Sequence, residues 1–267
     1  MAGYPARRPR IRAWRPDVPG VAEVLHAHFP EHVYPLHTHD TWTLLVVDDG
    51  LVRYDLDRQE HGALRSLVTL LPPHVPHDGR SVNDTGFRKR VVYLDEGAFD
   101  ATRIGNAVDH PGWADSALRD QIHLLHRALA SPGDAFEAEG RLALVRERLS
   151  GHLAHDEPPG VRHGRTLAHR LRDLLDAHLV IGLTLADAAS ALGATETHLI
   201  RCFTSEFGIP PHQYLTGRRL DRARRLLLAG RTAADTAHEV GFYDQAHLTR
   251  HFKRLLGITP GAYAGAA

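Results

Sequence analysis

The sequence predicts a two-domain α+β chain. A β-rich N-terminal half closes into a small barrel or sandwich and carries a helical hairpin, and an all-α C-terminal half follows. Three observations predict it. One helical unit occurs twice between Thr184 and Tyr263. Short strand-and-turn patterns fill Val21 to Leu94 and give way to helical spacing from Ser116 onward. Charge is split although the total is zero: residues 161–267 hold 14 basic and 9 acidic side chains, and the rest of the chain 18 and 23. A chain of 267 residues with 43% apolar content can build two real cores.

In chain order, Met1 to Gly20 is basic and proline-rich without an apolar centre, so it is not a secretory signal and reads as a mobile arm. Residues 21–108 form the β-rich unit. Thr41–Gly50 and Leu51–Asp57 read as two strands joined by a tight turn at Asp49-Gly50. Arg65–Leu71, stopped by Pro72-Pro73, and Arg88–Leu94 are further strands. Many short strands at this spacing fit a small barrel or sandwich.

Residues 109–155 change period. Leu118, Ile122, Leu125 and Leu129 make one helical stripe, and Leu142, Val145, Leu149 and Leu153 another, with Ser131-Pro132-Gly133-Asp134 between them. This is an antiparallel helix pair. The stretch around 156–163, charged and proline-rich, is the linker. Residues 164–267 open with a helix from Gly164 to Leu179.

The repeat is Thr184-Leu-Ala-Asp-Ala-Ala-Ser-Ala-Leu-Gly193, echoed by Thr232-Ala-Ala-Asp-Thr-Ala-His-Glu-Val-Gly241. Each copy starts on a T-x-x-D capping pattern and stops at a glycine. A second helix follows, capped by Thr195 or Asp244. Leu199, Phe203 and Phe207 in one copy, and Leu248, Phe252 and Leu256 in the other, form a narrow apolar row. Opposite that row stand Thr197, His198, Arg201 and Ser205, then Ala246, His247, Arg250 and Arg254. Arginine can bond guanine bidentately, and small side chains let a helix sit deep in the major groove. Duplex DNA is therefore the expected partner. Between the copies, Pro211 to Ala229 reads as one helix, roughly 28 Å long at 1.5 Å per residue, near the ~34 Å between successive major grooves. Its arginines supply positive charge for phosphates.

Composition excludes several classes. Cys202 is the lone cysteine, so no internal disulfide forms; it is expected to be a buried small hydrophobe. No apolar run approaches 18 residues, so no membrane span is expected, and the chain is placed in the cytoplasm. No Ser-His-Asp set or phosphate loop stands out, so no catalytic residues are assigned.

These motifs carry a resemblance. Ala189…Leu192-Gly193, His198-Leu199-x-Arg201-x-Phe203, Gly208-x-x-Pro211-x-x-Tyr214, Val240-Gly241-Phe242 and His247-Leu248-x-Arg250-x-Phe252 together resemble the DNA-binding domain of AraC/XylS-type bacterial transcription regulators. The resemblance implies base contacts from Thr197, Ile200 and Arg201, then Gln245, Ala246, His247 and Arg250. Ile200 departs from the polar residue often found there. Phosphate contacts are expected from Arg218, Arg219, Arg222, Arg225 and Arg254. A small-molecule effector, a homodimer contact through the helical hairpin and an RNA polymerase contact are also implied.

The N-terminal half is similar to the cupin-type sensors of many such regulators, through His37-x-His39 and Pro72-Pro73-His74-Val75-Pro76-His77. Two histidines two apart on a strand share a face, and His77 could join them. A metal cupin usually adds a glutamate after the first pair, which this sequence lacks, and His74 stands where glycine is usual. His37, His39 and His77 are therefore read as effector-lining residues, with no metal and no cofactor. A metal-dependent cupin enzyme with an accessory helical domain stays open as the alternative. The overall expectation is an effector-controlled, non-enzymatic DNA-binding regulator.

Overall fold

The computed structural model describes residues 9–30, 32–82, 86–154 and 166–265. Among the described residues ten strands form two sheets: β1 (Arg10–Trp14), β2 (Val21–Phe29), β9 (Phe87–Leu94), β4 (Trp42–Asp49), β7 (Val68–Leu71) and β10 (Gly112–Trp113) in one, and β3 (Val33–His37), β8 (His77–Ser81), β5 (Val52–Leu56) and β6 (Gln59–Ala63) in the other. All described pairings are antiparallel.

The larger sheet is buried on both faces, which explains its near-continuous apolar runs. On β4 and β9, Leu45, Val47, Val91 and Tyr93 face the barrel interior. Leu44, Val46, Val92 and Leu94 face the helices α2 (Ser116–Leu129) and α3 (Ala135–Ala154). Both expected helical stripes are buried in that second core. A short helix, α1 (Ile104–Asp109), precedes them.

Several expectations are corrected. Arg10–Trp14 is not a mobile arm: it pairs with β2, Ala13 is fully buried, and Trp14 Nε1 donates to Leu129 O at 2.8 Å. Residues 1–8 lie outside the described residues. The Asp49-Gly50 turn does not join a paired hairpin. It carries the chain from one sheet to the other, because β4 pairs with β7 and β9 whereas β5 pairs with β6 and β8. Gly50, at φ +79°, runs so close to the Gly86 carbonyl that a side chain would collide with it. The true hairpin is β5–β6, turned by Asp57 and Arg58 with φ of 46° and 69°. Both central residues of such a turn need positive φ, and without a glycine the sequence hid it. The sheet also takes β10 from beyond residue 108. The 156–163 linker and the start of the helix expected from Gly164 lie outside the described residues; the helix described is α4 (Leu167–Ala177).

The C-terminal half is helical: α5 (Leu185–Leu192), α6 (Glu196–Phe207), α7 (Pro211–Leu228), α8 (Ala233–Glu239), α9 (Gln245–Leu256) and α10 (Pro260–Ala264). Thr184, Thr195, Thr232 and Asp244 each cap a helix by accepting a backbone N–H. Gly193 and Gly241 sit at φ 64° and 87°. At Gly241 any side chain would press on Val180 O and the Arg219 guanidinium.

The two repeat units do not share one core. Leu199, Phe203, Phe207 and Tyr214 of the first pack with α4. Leu248, Phe252, Leu256 and Tyr263 of the second belong to the cluster that fills the barrel. The interface is also polar. Arg224 Nη2 lies 2.6 Å from Glu23 Oε1, its Nε donates to Tyr263 Oη at 3.1 Å, and the Tyr263 hydroxyl donates to Glu23. Arg224 and Glu23 are both buried. Arg225 Nη1 lies 2.8 Å and Arg218 Nη1 2.9 Å from Asp40 Oδ2.

Arg224→Met should destabilise the chain by about 3–5 kcal/mol, because it leaves the Glu23 carboxylate buried and unpaired. Adding Glu23→Leu should recover most of the loss in denaturant unfolding. A single-variant cost below ~1 kcal/mol would show that Glu23 stays solvated.

Burial alone would raise the Asp40 carboxyl, but Arg225 and Arg218 outweigh it and hold it at about 2. A depressed carboxyl contributes stability above its ordinary value near 3.8, and that contribution is lost as pH falls toward 2. Between pH 5 and pH 2, the melting temperature of the wild type should fall more steeply than that of Asp40→Asn; equal slopes would remove Asp40 from the acid response.

Candidate functional site

Two surfaces emerge, one on the helices and one inside the barrel. On α6, Leu199 and Phe203 face inward, and Thr197, Ile200 and Arg201 face solvent, with Ile200 39% exposed. On α9, Leu248 and Phe252 face inward, and Gln245, Ala246 and Arg250 are exposed. His247 is half-buried against Phe242, with ring centroids 5.2 Å apart, so its ring is braced as well as presented. Among the expected base-contacting residues, six are exposed and one is partly covered.

The expected phosphate contacts divide differently. Arg254 is exposed and Arg222 half-buried, and neither forms an ion pair among the described residues. Arg219 donates to Leu179 O at 2.8 Å. Arg218 and Arg225 are held by Asp40, and Arg218 also donates to Asp176 at 3.0 Å. In this arrangement these two arginines neutralise Asp40 of the barrel and Asp176 of α4 and are not free cations. The run 218–225 looked uniformly basic, but one face of α7 meets the barrel. Asp221 within that run was the available signal that part of the helix is committed to pairing.

Cys202 is half-buried, not buried, with its Sγ 3.5 Å from His198 Nε2 one turn earlier. It lies beside the exposed face of α6, where the apolar row does not cover it.

Inside the barrel, His37, His39 and His77 come together, all buried. His37 and His39 ring centroids are 4.8 Å apart, and His77 lies 4.6 Å from one and 5.2 Å from the other. Burial, then the neighbouring His77 and His39 rings, pushes His37 well below its usual value. Burial and His39 bring His77 to about 3. The cavity they line also holds Tyr34, Tyr54, Lys89 and Tyr93. The Lys89 ammonium lies 4.1 Å from the Tyr34 ring centroid, and burial with nearby Arg224 lowers it to about 7. Sequence reasoning missed Lys89, although the chain has only two lysines, Lys89 and Lys253, and this one sits on an inward-reading strand.

Leu255 and Leu256 of α9 complete the cavity wall. His32 Nε2 lies 3.0 Å from Leu255 O and ties the end of α9 to the barrel. One element thus presents exposed polar residues at its start and closes a pocket at its end.

Comparison with known proteins agrees with both halves. Residues 19–146 match a family described as the AraC-like ligand binding domain, and residues 188–266 one described as a helix-turn-helix domain. The HTH-type transcriptional regulator YbfI of Bacillus subtilis is 38% identical over 76 residues, 28% of each chain. An AraC-like transcription regulator of Streptomyces antibioticus is 36% identical over 126 residues, 46% of this chain and 39% of that one. The matched segments therefore span well under half of these relatives. The crystal structure of ToxT from Vibrio cholerae O395 has the same two-domain fold, with a TM-score of 0.59, 12% identity and 97% of each chain covered. With an AraC-like ligand binding domain followed by a helix-turn-helix domain, this chain has the domain composition of AraC-like transcription regulators.

Proposed function

We propose that this chain regulates transcription by reading duplex DNA with α6 and α9 under the control of a small molecule held in the barrel. The observation that carries this is the shared wall: Leu255 and Leu256 of α9 close a cavity otherwise built from the barrel. A ligand there touches the DNA-binding half directly, so its affinity must depend on how that half is seated. Any such difference biases the seating in return.

In this reading Thr197, Ile200 and Arg201 enter one major groove, and Gln245, Ala246, His247 and Arg250 the next. Ile200 offers an apolar contact to a thymine methyl. Arg219, Arg222 and Arg254 meet phosphates from the seated arrangement. Arg218 and Arg225 join them only when Asp40 lets go. The protein works in the cytoplasm, where bacterial DNA is, and performs no catalysis. No helix among the described residues is long and apolar enough to cross a membrane. Phe136, 90% exposed, and Leu144, 51% exposed, on α3 give the hairpin an apolar surface suited to a second copy. A contact with RNA polymerase completes the regulatory role. The rival reading, a metal-dependent enzyme, accounts for the three histidines but not for the capped, exposed helix pair.

Selection from a random duplex library with the full-length protein should recover two short blocks about one helical turn apart. No enrichment by the full chain or by residues 161–267 would sink the DNA-reading proposal. On the selected site, Arg201→Ala and Arg250→Ala should each cost about 1–3 kcal/mol and relax preference at one base position; equal losses on every sequence would make them phosphate contacts.

Asp40→Ala should release Arg225, while Arg218 keeps Asp176. DNA affinity should rise, and the slope of log affinity against log salt should steepen by about one. An unchanged slope would leave Arg225 with a purely structural role.

A further inference from the structure

Lys89 is the one lysine outside residues 161–267, where the other 17 strong bases are arginines. The two side chains differ in one chemical respect. A guanidinium stays charged, whereas an amine taken out of water can give up its proton and become a nucleophile. Lys89 shares a face of β9 with Val91 and Tyr93, so its side chain enters the barrel cavity. There it forms no hydrogen bond and no ion pair among the described residues. Asp78 is the one carboxylate among the lining residues, and it is taken by the Asp55 N–H at 2.7 Å and by Arg80 at 3.4 Å. Aromatic faces surround the Lys89 nitrogen instead, those of Tyr34 at 4.1 Å, Phe29 at 5.8 Å and Phe87 at 6.0 Å. Burial and nearby Arg224 hold the amine at about 7, so roughly half of it is the free base at neutral pH.

The space in front of this amine is small, about 40 Å³. One water needs roughly 10–15 Å³ of such space, so a molecule of about three or four heavy atoms fits. His37 and His77, both kept neutral by burial, line the same space.

We propose that Lys89 captures a small aldehyde as a reversible imine, and that this adduct is the effector-bound state of the barrel. The proposal rests on the reading of this cavity as the place where the barrel controls the DNA-binding half. The Nζ lone pair attacks the carbonyl carbon and a C–N bond forms, while one nitrogen proton passes to the carbonyl oxygen. The carbinolamine then loses that hydroxyl with the remaining nitrogen proton as water, and the C=N bond forms. No oxidant or reductant is consumed, and water reverses the reaction. The neutral imidazoles of His37 and His77 suit the proton transfers. The added carbon atoms fill space bounded by Leu255 and Leu256, which is how the adduct bears on α9.

The chain carries its own control, because its other lysine, Lys253, lies exposed on α9. Full-length protein without added lysines is treated at pH 7 with acetaldehyde and cyanoborohydride, which reduces an imine to a stable alkylamine, and its peptides are mapped by mass spectrometry. Lys89 should be ethylated at least about tenfold faster than Lys253, because far more of its amine is uncharged. Benzaldehyde, too large for the cavity, should lose that preference. Lys253 reacting as fast as Lys89 overturns the proposal, and an equal preference for Lys89 with benzaldehyde overturns the size limit. Acetate has the size of acetaldehyde but carries a charge and no electrophilic carbonyl. If millimolar acetate protects Lys89, the amine serves an anion and the imine reading falls. On a selected DNA site, acetaldehyde without reductant should shift affinity about fivefold or more in the wild type and not in Lys89→Arg, whose folding is checked by circular dichroism. Labelled Lys89 with unchanged DNA affinity overturns the adduct's role as effector-bound state. The labelling needs neither DNA nor a variant, so the two readings fail separately: preferential labelling with no DNA selected sinks the regulator reading alone, and DNA selection without labelling sinks the imine alone.

Discussion

The structure depends on how one face of α7 is held by the barrel. Arg224 enters the interface with its charge, and the Glu23 carboxylate, the Tyr263 hydroxyl, the Tyr93 ring face, 4.3 Å from the guanidinium carbon, and Asp221 Oδ1, 3.6 Å from Nη1, make that burial tolerable. Removing two charges from water is expensive, and a buried ion pair roughly breaks even against apolar packing. Its value here is geometric. An apolar patch would let α7 slide, whereas a guanidinium aimed at one carboxylate allows one register. Asp40, gripping Arg218 and Arg225, and His39, gripping Asp221, then fall into place along the same helix.

The two repeat units meet the barrel differently. The core of the first unit closes with α4 and touches the barrel only at its margin, through Leu36 and the Arg58–Ser205 O hydrogen bond. The second unit shares its apolar residues with the barrel. Two units of similar sequence therefore have different mechanical surroundings, and the difference lies in what their apolar faces meet.

Much of this was legible in the sequence. The repeat, its caps and its apolar rows were visible because helix capping and 3.6-residue periodicity are local properties, and Thr184, Gly193, Leu199 and Phe203 each occupy the expected place. The clustering of His37, His39 and His77 was legible from strand alternation plus one resemblance. What escaped was non-local. The partner of β4 could not be read from the Asp49-Gly50 turn, because strand pairing is settled by contacts far along the chain. β1 was hidden by the arginines and prolines around Ala13 and Trp14. Arg218 and Arg225 looked like free cations because their acid, Asp40, lies nearly two hundred residues away. Leu256 became a pocket residue only once two domains had come together.

The reach of α9 has a mechanical consequence. Leu248 is buried near its start, and Leu256, at its end, walls the cavity. The eight steps from Leu248 to Leu256 span roughly 12 Å, whereas Gln245 lies only about 4.5 Å beyond Leu248 on the other side. A stiff helix pivoting at Leu248 is a lever with its long arm in the pocket. A displacement at Leu256 reaches Gln245 reduced about two- to threefold and reversed in direction. Such gearing favours angular precision over travel: an occupant of the cavity could re-aim Gln245 by a fraction of an ångström, the scale on which a hydrogen bond is made or lost.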